Sequence, residues 1–243
     1  MTNEAMNPRC VMIAGESISG KTASLKYLKN HPGVMFLNCE AGKDTPFKNK
    51  FQEGVVTHPD QVPAAFEQAE DMPEIHTIVV DSLTYLMDMH ESKVVLTSTN
   101  TMKAWSDFAQ YLKHLMQHHV ALSTKNVIFT AHVLKTLNEQ TMEYETSIPV
   151  KGQLKNNGIE SFFNTVVYTK KMSLKKLEKY SNDMLNITED DEIVGYKHVF
   201  QTRPTKETVN DRIRGSMGLW SVQETFIDNN AQLLLDHINE FYK

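Results

Sequence analysis

Gly15-Glu16-Ser17-Ile18-Ser19-Gly20-Lys21-Thr22 is a complete G-x-x-x-x-G-K-[ST] stretch, and its surroundings decide how it is read. The apolar run from Cys10 to Ala14 precedes it, and Leu25 and Leu28 follow at helical spacing. Strand, loop and helix therefore come in the order a phosphate-binding loop requires. In such a loop, successive backbone N–H groups and the positive end of the helix surround a β-phosphate. The two glycines allow backbone angles and a close approach that a Cβ would block. Lys21 is placed to neutralise β- and γ-phosphates, and the Thr22 hydroxyl to bind Mg²⁺.

With 243 residues and 40% hydrophobic content, the chain can bury a substantial core as one α/β domain. A net charge of −5 excludes a global basic field, so any nucleic-acid contact must be local. The two cysteines, Cys10 and Cys39, fall in core strands and not at metal-ligand or redox spacing. No signal-peptide pattern opens the chain, and its longest apolar runs are too short for a bilayer, so the expectation is a soluble cytoplasmic protein without membrane contact. Only a few polar residues precede Cys10, which leaves no separate oligomerisation module upstream.

Outward from the loop, Val34 to Leu37 is a continuous apolar run of the kind buried on both faces of a parallel sheet. It leads to Glu40, at the carboxyl edge where open α/β sheets bind ligands. Glu40 is either the base that orients and deprotonates an attacking water or an ordinary solvated loop glutamate. Thr77 to Ser82 is an apolar strand closing on Asp81, a Walker-B arrangement that holds Mg²⁺ beside Thr22. Asp60 reads as the cap of a helix running to about Glu70, and Ser92 to Asn100 as a mobile loop. A long amphipathic helix follows, with Trp105, Phe108, Leu112, Leu115 and Met116 on its core face. His114, His118 and His119 on the same helix read as solvated, because no third-ligand signature accompanies them.

Asn126 to His132 is the next buried strand, and His132 at its end either touches a γ-phosphate or is structural. Leu134 to about Pro149 shows no regular period and reads as a long loop; Lys151 to Lys155 then leads to a short helix and a strand from Thr165 to Thr169. Residues 170–195 read as an excursion, whose lysines mark either a solvated hairpin or a nucleic-acid contact. Tyr196 to Thr202 alternates as an antiparallel strand, and residues 221–243 form a helical segment packed through Leu233, Leu234, Ile238 and Phe241. Arg212 and Arg214 are either surface residues or a finger acting on a neighbour's nucleotide.

This ordered set resembles the RecA-type recombinase core over roughly Cys10 to Trp220. The phosphate loop, the strand ending at Glu40 and the Walker-B strand ending at Asp81 carry the likeness. The compact size is most similar to phage-encoded RecA-like single-strand annealing ATPases, the phage nucleotide-binding proteins. The resemblance implies a RecA-like P-loop NTPase with a mostly parallel central sheet flanked by helices, and antiparallel strands at the C-terminal side. It also implies ATP and Mg²⁺ as cofactors, a catalytic Glu40, a γ-phosphate sensor at His132, and Arg212 and Arg214 near a basic pair acting across a homo-oligomer interface. Single-stranded DNA would face residues 92–103 and 134–149, in recombination, annealing or replication, with a single-strand-binding protein or replication factor as partner and the host cytoplasm as location. Histidine at 132 departs from the glutamine of bacterial RecA, and a large C-terminal domain is missing. Two other classes use the same loop: a small-molecule or nucleotide kinase, and a nucleotide-gated assembly factor without significant turnover.

Overall fold

The computed structural model describes residues 7–139, 142–152 and 158–243. The first strand, β1 (Cys10–Gly15), is buried along its whole length. Alternate side chains leave a strand on opposite faces, and here Cys10, Met12 and Ala14 enter one core while Val11 and Ile13 enter the other. A strand covered on both faces has no polar side to present, which is why its sequence is a continuous apolar run. The chain continues through α1 (Lys21–Ser24), β2 (Val34–Asn38), β3 (Gln52–Val55), α2 (Gln61–Glu70), β4 (Thr77–Asp81) and α3 (Leu83–His90). Next come α4 (Thr101–His114), β5 (Asn126–His132), β6 (Leu134–Asn138), β7 (Glu143–Ser147) and β8 (Thr165–Ser173). The remaining elements are α5 (Leu174–Leu177), α6 (Glu189–Val194), β9 (Tyr196–Gln201), β10 (Phe226–Asp228) and α7 (Ala231–Phe241).

Eight strands form one sheet in the order β10-β9-β8-β1-β5-β4-β2-β3. The six strands from β8 to β3 in that order pair in parallel, and β9 and β10 add antiparallel ladders at the far side. The expected α/β class with C-terminal antiparallel strands is thus the observed fold. Residues of α2, α3 and α4 fill one face of the sheet, and those of the turn Leu25–Tyr27 and of α7 fill the other. Parallel pairing brings the carboxyl ends of β1, β2, β4 and β5 to a common edge, where Gly15, Asn38, Asp81 and His132 lie side by side.

Several expectations are corrected. The long loop after His132 is a hairpin: β6 and β7 pair antiparallel from Leu134↔Ser147 to Asn138↔Glu143. Its residues are mostly exposed on both faces, so the apolar alternation that announces a half-buried strand is missing. The mobile loop from Ser92 begins instead as a π-helical continuation of α3, Glu91–Val95, anchored by buried Val95. Residues 170–173 belong to β8, so the excursion starts at Leu174. The segment 221–243 contains the strand β10 before its helix, and α7 buries Leu234, Leu235 and Ile238 while Phe241 stays 42% exposed. Asp60 precedes α2 but makes no side-chain cap. The expectations for Gln153 to Lys155 lie outside the described residues.

Candidate active site

The loop between β1 and α1 turns on two glycines. At Gly15 a Cβ would collide with the hydroxyls of Thr169 and Ser19. Gly20 has φ +107, and a Cβ there would stand 2.7 Å from Asn229 Nδ2. Between them Ile18 sits at φ +64 with its side chain 82% exposed, an unfavourable backbone for a β-branched residue. The loop is braced from outside: Ser19 Oγ and Thr169 Oγ1 are hydrogen-bonded, His198 Nδ1 donates to Ser19 O at 2.7 Å, and Asn229 Nδ2 donates to Gly20 O at 2.9 Å. Carbonyls held outward leave the opposing N–H groups free to face an anion.

Lys21 folds back along the loop, its ammonium donating to Gly15 O at 3.0 Å and Glu16 O at 2.8 Å. Burial lowers its pKa to about 8, against the raising influence of Asp81 and Glu40. Asp81, only 5% exposed, accepts from both sides: Thr22 Oγ1 donates to Oδ2 at 2.9 Å, and Thr130 Oγ1 donates to Oδ1. Burial pushes the Asp81 carboxyl above its ordinary range, and the two hydroxyls pull it back.

Glu40 follows β2 and is oriented by Asn38, whose Oδ1 accepts from Glu40 N at 3.0 Å. Glu40 Oε2 lies 3.6 Å from Lys43 Nζ, and Oε1 lies 3.8 Å from His132 Nε2. The other ring nitrogen of His132 is 3.5 Å from Lys21 Nζ, and its backbone N donates to Thr84 Oγ1 at 2.9 Å. Burial first, then the Lys21 charge, lowers the His132 pKa, so its ring is neutral near pH 7. With an ammonium facing Nδ1, the proton belongs on Nε2, toward Glu40.

Lys21, Thr22, Glu40, Asp81 and His132 line one cavity of about 430 Å³, which the loop residues Ser17, Ile18 and Gly20 also enter. A larger cavity of about 710 Å³ lies on the other flank of the loop, against Tyr144, Lys170 and Asp211. It touches none of the five converging side chains, so the chemistry is assigned to the smaller one. Arg212 and Arg214 are not brought in: Arg212 pairs with Glu160 at 3.4 Å, and Arg214 donates to Ser161 O and bridges Val166 near the amino end of β8.

The sequence profile of the AAA domain family matches residues 7–210, more than four-fifths of the chain, loop and sheet edge included. The chain belongs to the AAA domain family. No curated protein matches it. Membership makes this AAA domain a P-loop nucleotide-binding ATPase core, and the loop geometry agrees. The oxygen donors Thr22 and Asp81 suit a hard divalent cation such as Mg²⁺, because both hydroxyl and carboxylate face one point beside the loop. No helix among the described residues is long and apolar enough to cross a membrane.

Sequence reading missed Thr130, Thr169, His198 and Asn229, which support the loop and Asp81 of this AAA domain. None belongs to a local motif, and only the sheet order brings them there. Thr130 alone left a trace, as a polar residue two positions before the end of an otherwise apolar strand. Asn229, which holds Gly20 O, lies beyond the matched residues 7–210.

Proposed function

We propose that this AAA domain binds ATP with Mg²⁺ and hydrolyses it, and that single-stranded DNA is the polymer on which it acts. The convergence of Lys21, Thr22, Asp81, Glu40 and His132 in one cavity is the observation that carries the first half. Thr22 and Asp81 would hold the magnesium, which supplies charge neutralisation at the phosphate oxygens. Lys21 leaves the Gly15 and Glu16 carbonyls for the β- and γ-phosphates. Glu40 accepts the proton of the attacking water, and His132, lying between Lys21 and Glu40, senses the terminal phosphate. An arginine from a second copy supplies further positive charge, for which Arg212 and Arg214 are the proposed pair.

The DNA half rests on the likeness to RecA-type recombinases and on one local feature. The β6–β7 hairpin begins two residues after His132, and it presents Tyr144, 58% exposed, with the Lys135 ammonium 4.6 Å from the ring centre. An exposed aromatic beside a cation suits a stacked base and its phosphate. Recombination, annealing or replication, together with a single-strand-binding or replication partner, follow from the same likeness.

The test is nucleotide binding and turnover, with and without single-stranded DNA, at two salt concentrations. Lys21→Ala should lose ATP binding, and Glu40→Gln should bind ATP but turn it over about 10²- to 10⁴-fold more slowly. Stimulation by DNA that weakens steeply with salt supports phosphate contacts. Failure to bind ATP in the presence of magnesium overturns the whole reading, whereas turnover indifferent to DNA overturns only its second half.

A further inference from the structure

Glu40 follows β2 and His132 ends β5, and both strands lie on one side of β1 in the sheet; β8, β9 and β10 lie on the other. A nucleotide whose terminal phosphate faces Glu40 and His132 therefore carries its remaining half toward the antiparallel edge. There a second cavity, of about 400 Å³, adjoins the first, and Gly20, Ala23 and His198 line both. Ala23 directly follows Thr22, so the way between the two cavities runs past the first turn of α1, where loops of this kind hold the α-phosphate.

We infer that this second cavity receives the nucleoside of the bound nucleotide, with the purine base against Tyr27 and the 174–194 excursion as the outer wall. The inference rests on the nucleotide reading of the phosphate loop and deepens it by assigning the place of the base.

Tyr27 lines the cavity and is 46% exposed, with the Lys26 ammonium 4.6 Å from its ring centre. A partly open aromatic beside a cation suits a stacked base. The ring is held on a fixed element, because Leu25 in the same turn is fully buried. The opposite wall is made of amides. Asn186 comes from the excursion and is held there by its backbone N, which donates to Asp228 Oδ1 at 3.1 Å; its side-chain amide has no partner among the described residues. Asn230 spends Oδ1 on Leu233 N at 3.0 Å, which leaves its Nδ2 as a donor. Amides offer the mixed donors and acceptors that base edges and sugar hydroxyls require. The charged groups of the cavity offset one another, since Lys197 Nζ lies 2.9 Å from Asp191 Oδ2 and 3.4 Å from Asp228 Oδ1. Such a lining suits the uncharged half of a nucleotide, as Lys21 suits the charged half.

The experiment titrates the full chain by calorimetry with Mg·ATP and, separately, with magnesium tripolyphosphate, which has the phosphates and no nucleoside. Tyr27→Ala should weaken ATP binding about tenfold and leave tripolyphosphate binding unchanged, while Tyr27→Phe binds ATP as the wild type does. Hydrogen exchange gives a readout independent of turnover: ATP should protect residues 182–194, and tripolyphosphate should not. Circular dichroism checks that the variants remain folded, which a half-exposed position permits. The inference is overturned if Tyr27→Ala keeps its ATP affinity, if it loses tripolyphosphate equally, or if ATP protects residues 206–211 beside the larger cavity instead. A wild type that binds ATP and tripolyphosphate equally well also overturns it. A wild type that binds neither overturns the nucleotide reading itself.

Discussion

Replacing Thr130 by valine isolates the least visible part of the site. The Thr130 side chain is fully buried and its hydroxyl donates to Asp81 Oδ1, while Thr22 serves Oδ2. Valine fills nearly the same volume, so the cavity contribution is small and the loss is one hydrogen bond to a buried carboxylate. Such a bond contributes about 1.5–3 kcal/mol. For a chain of this size a loss of about 2 kcal/mol lowers the melting temperature by roughly 4–8 °C. The loss should depend on pH. Burial holds the folded-state pKa of Asp81 above its ordinary 3.8. A carboxyl raised in this way favours the folded state below its unfolded value, and that contribution disappears as pH rises through the folded value. Thr130 stabilises the charged form, so removing it raises the folded pKa further and deepens the penalty above it. The deficit of Thr130→Val should therefore be smallest in acid and reach its full size near neutrality. Denaturant unfolding of the nucleotide-free protein at several pH values measures this, with Thr130→Ser as the variant that keeps the hydroxyl. Equal stability of the valine and serine variants at neutral pH, or a deficit independent of pH, would refute the reasoning.

Three further outcomes are expected. Because burial brings Lys21 down to about 8 and phosphate binding needs the ammonium, ATP affinity should be level below pH 8 and fall as pH rises through it. Calorimetry in buffers of different ionisation enthalpy should show proton uptake on binding above that pH, and its absence would argue against a neutral lysine. Ile18→Asn should stabilise the free protein by about 1 kcal/mol, since asparagine tolerates the left-handed backbone and the exposed isoleucine side chain contributes little packing; unfolding midpoints decide it. His198→Ala removes the donor to Ser19 O and should weaken ATP binding by about fivefold, with turnover at saturation little changed; an unaltered dissociation constant would show that the brace is idle.

The phosphate loop and the strands ending near Glu40 and Asp81 were readable because each is local. A glycine pair before Lys21-Thr22, and apolar runs closing on an acid, place their chemistry within a few residues. The parallel sheet was readable because burial on both faces erases polar alternation in β1, β2, β4 and β5. The β6–β7 hairpin was not, since most of its residues are exposed and its one buried residue, Thr146, is polar and meets Tyr168 and Asp211 from distant strands and turns. The π turns were equally hidden, because Glu91–Val95 and Leu115–Val120 continue amphipathic helices without a break in composition. That is why His119 read as solvated when its side chain is buried against α2.

The supports of the phosphate loop come from three places more than a hundred residues downstream: Thr169 on β8, His198 on β9 and Asn229 just after β10. Each strand is the neighbour of the one before it, so a shift of β9 or β10 along the sheet moves a carbonyl partner of Ser19 or Gly20. His198 holds the Ser19 carbonyl in place, and Asn229, together with Ser24 N at 3.0 Å, holds the Gly20 carbonyl. The antiparallel edge is thus part of the nucleotide site, although none of its residues belongs to a recognisable motif. A signal that displaced β9 or the 174–194 excursion beneath it would reach the loop through His198 and Asn229 without touching Lys21, Asp81 or Glu40. Under the proposed function, phosphate affinity leans on the C-terminal strands and turnover on the ends of β2, β4 and β5, so substitutions in the two places should separate the two properties.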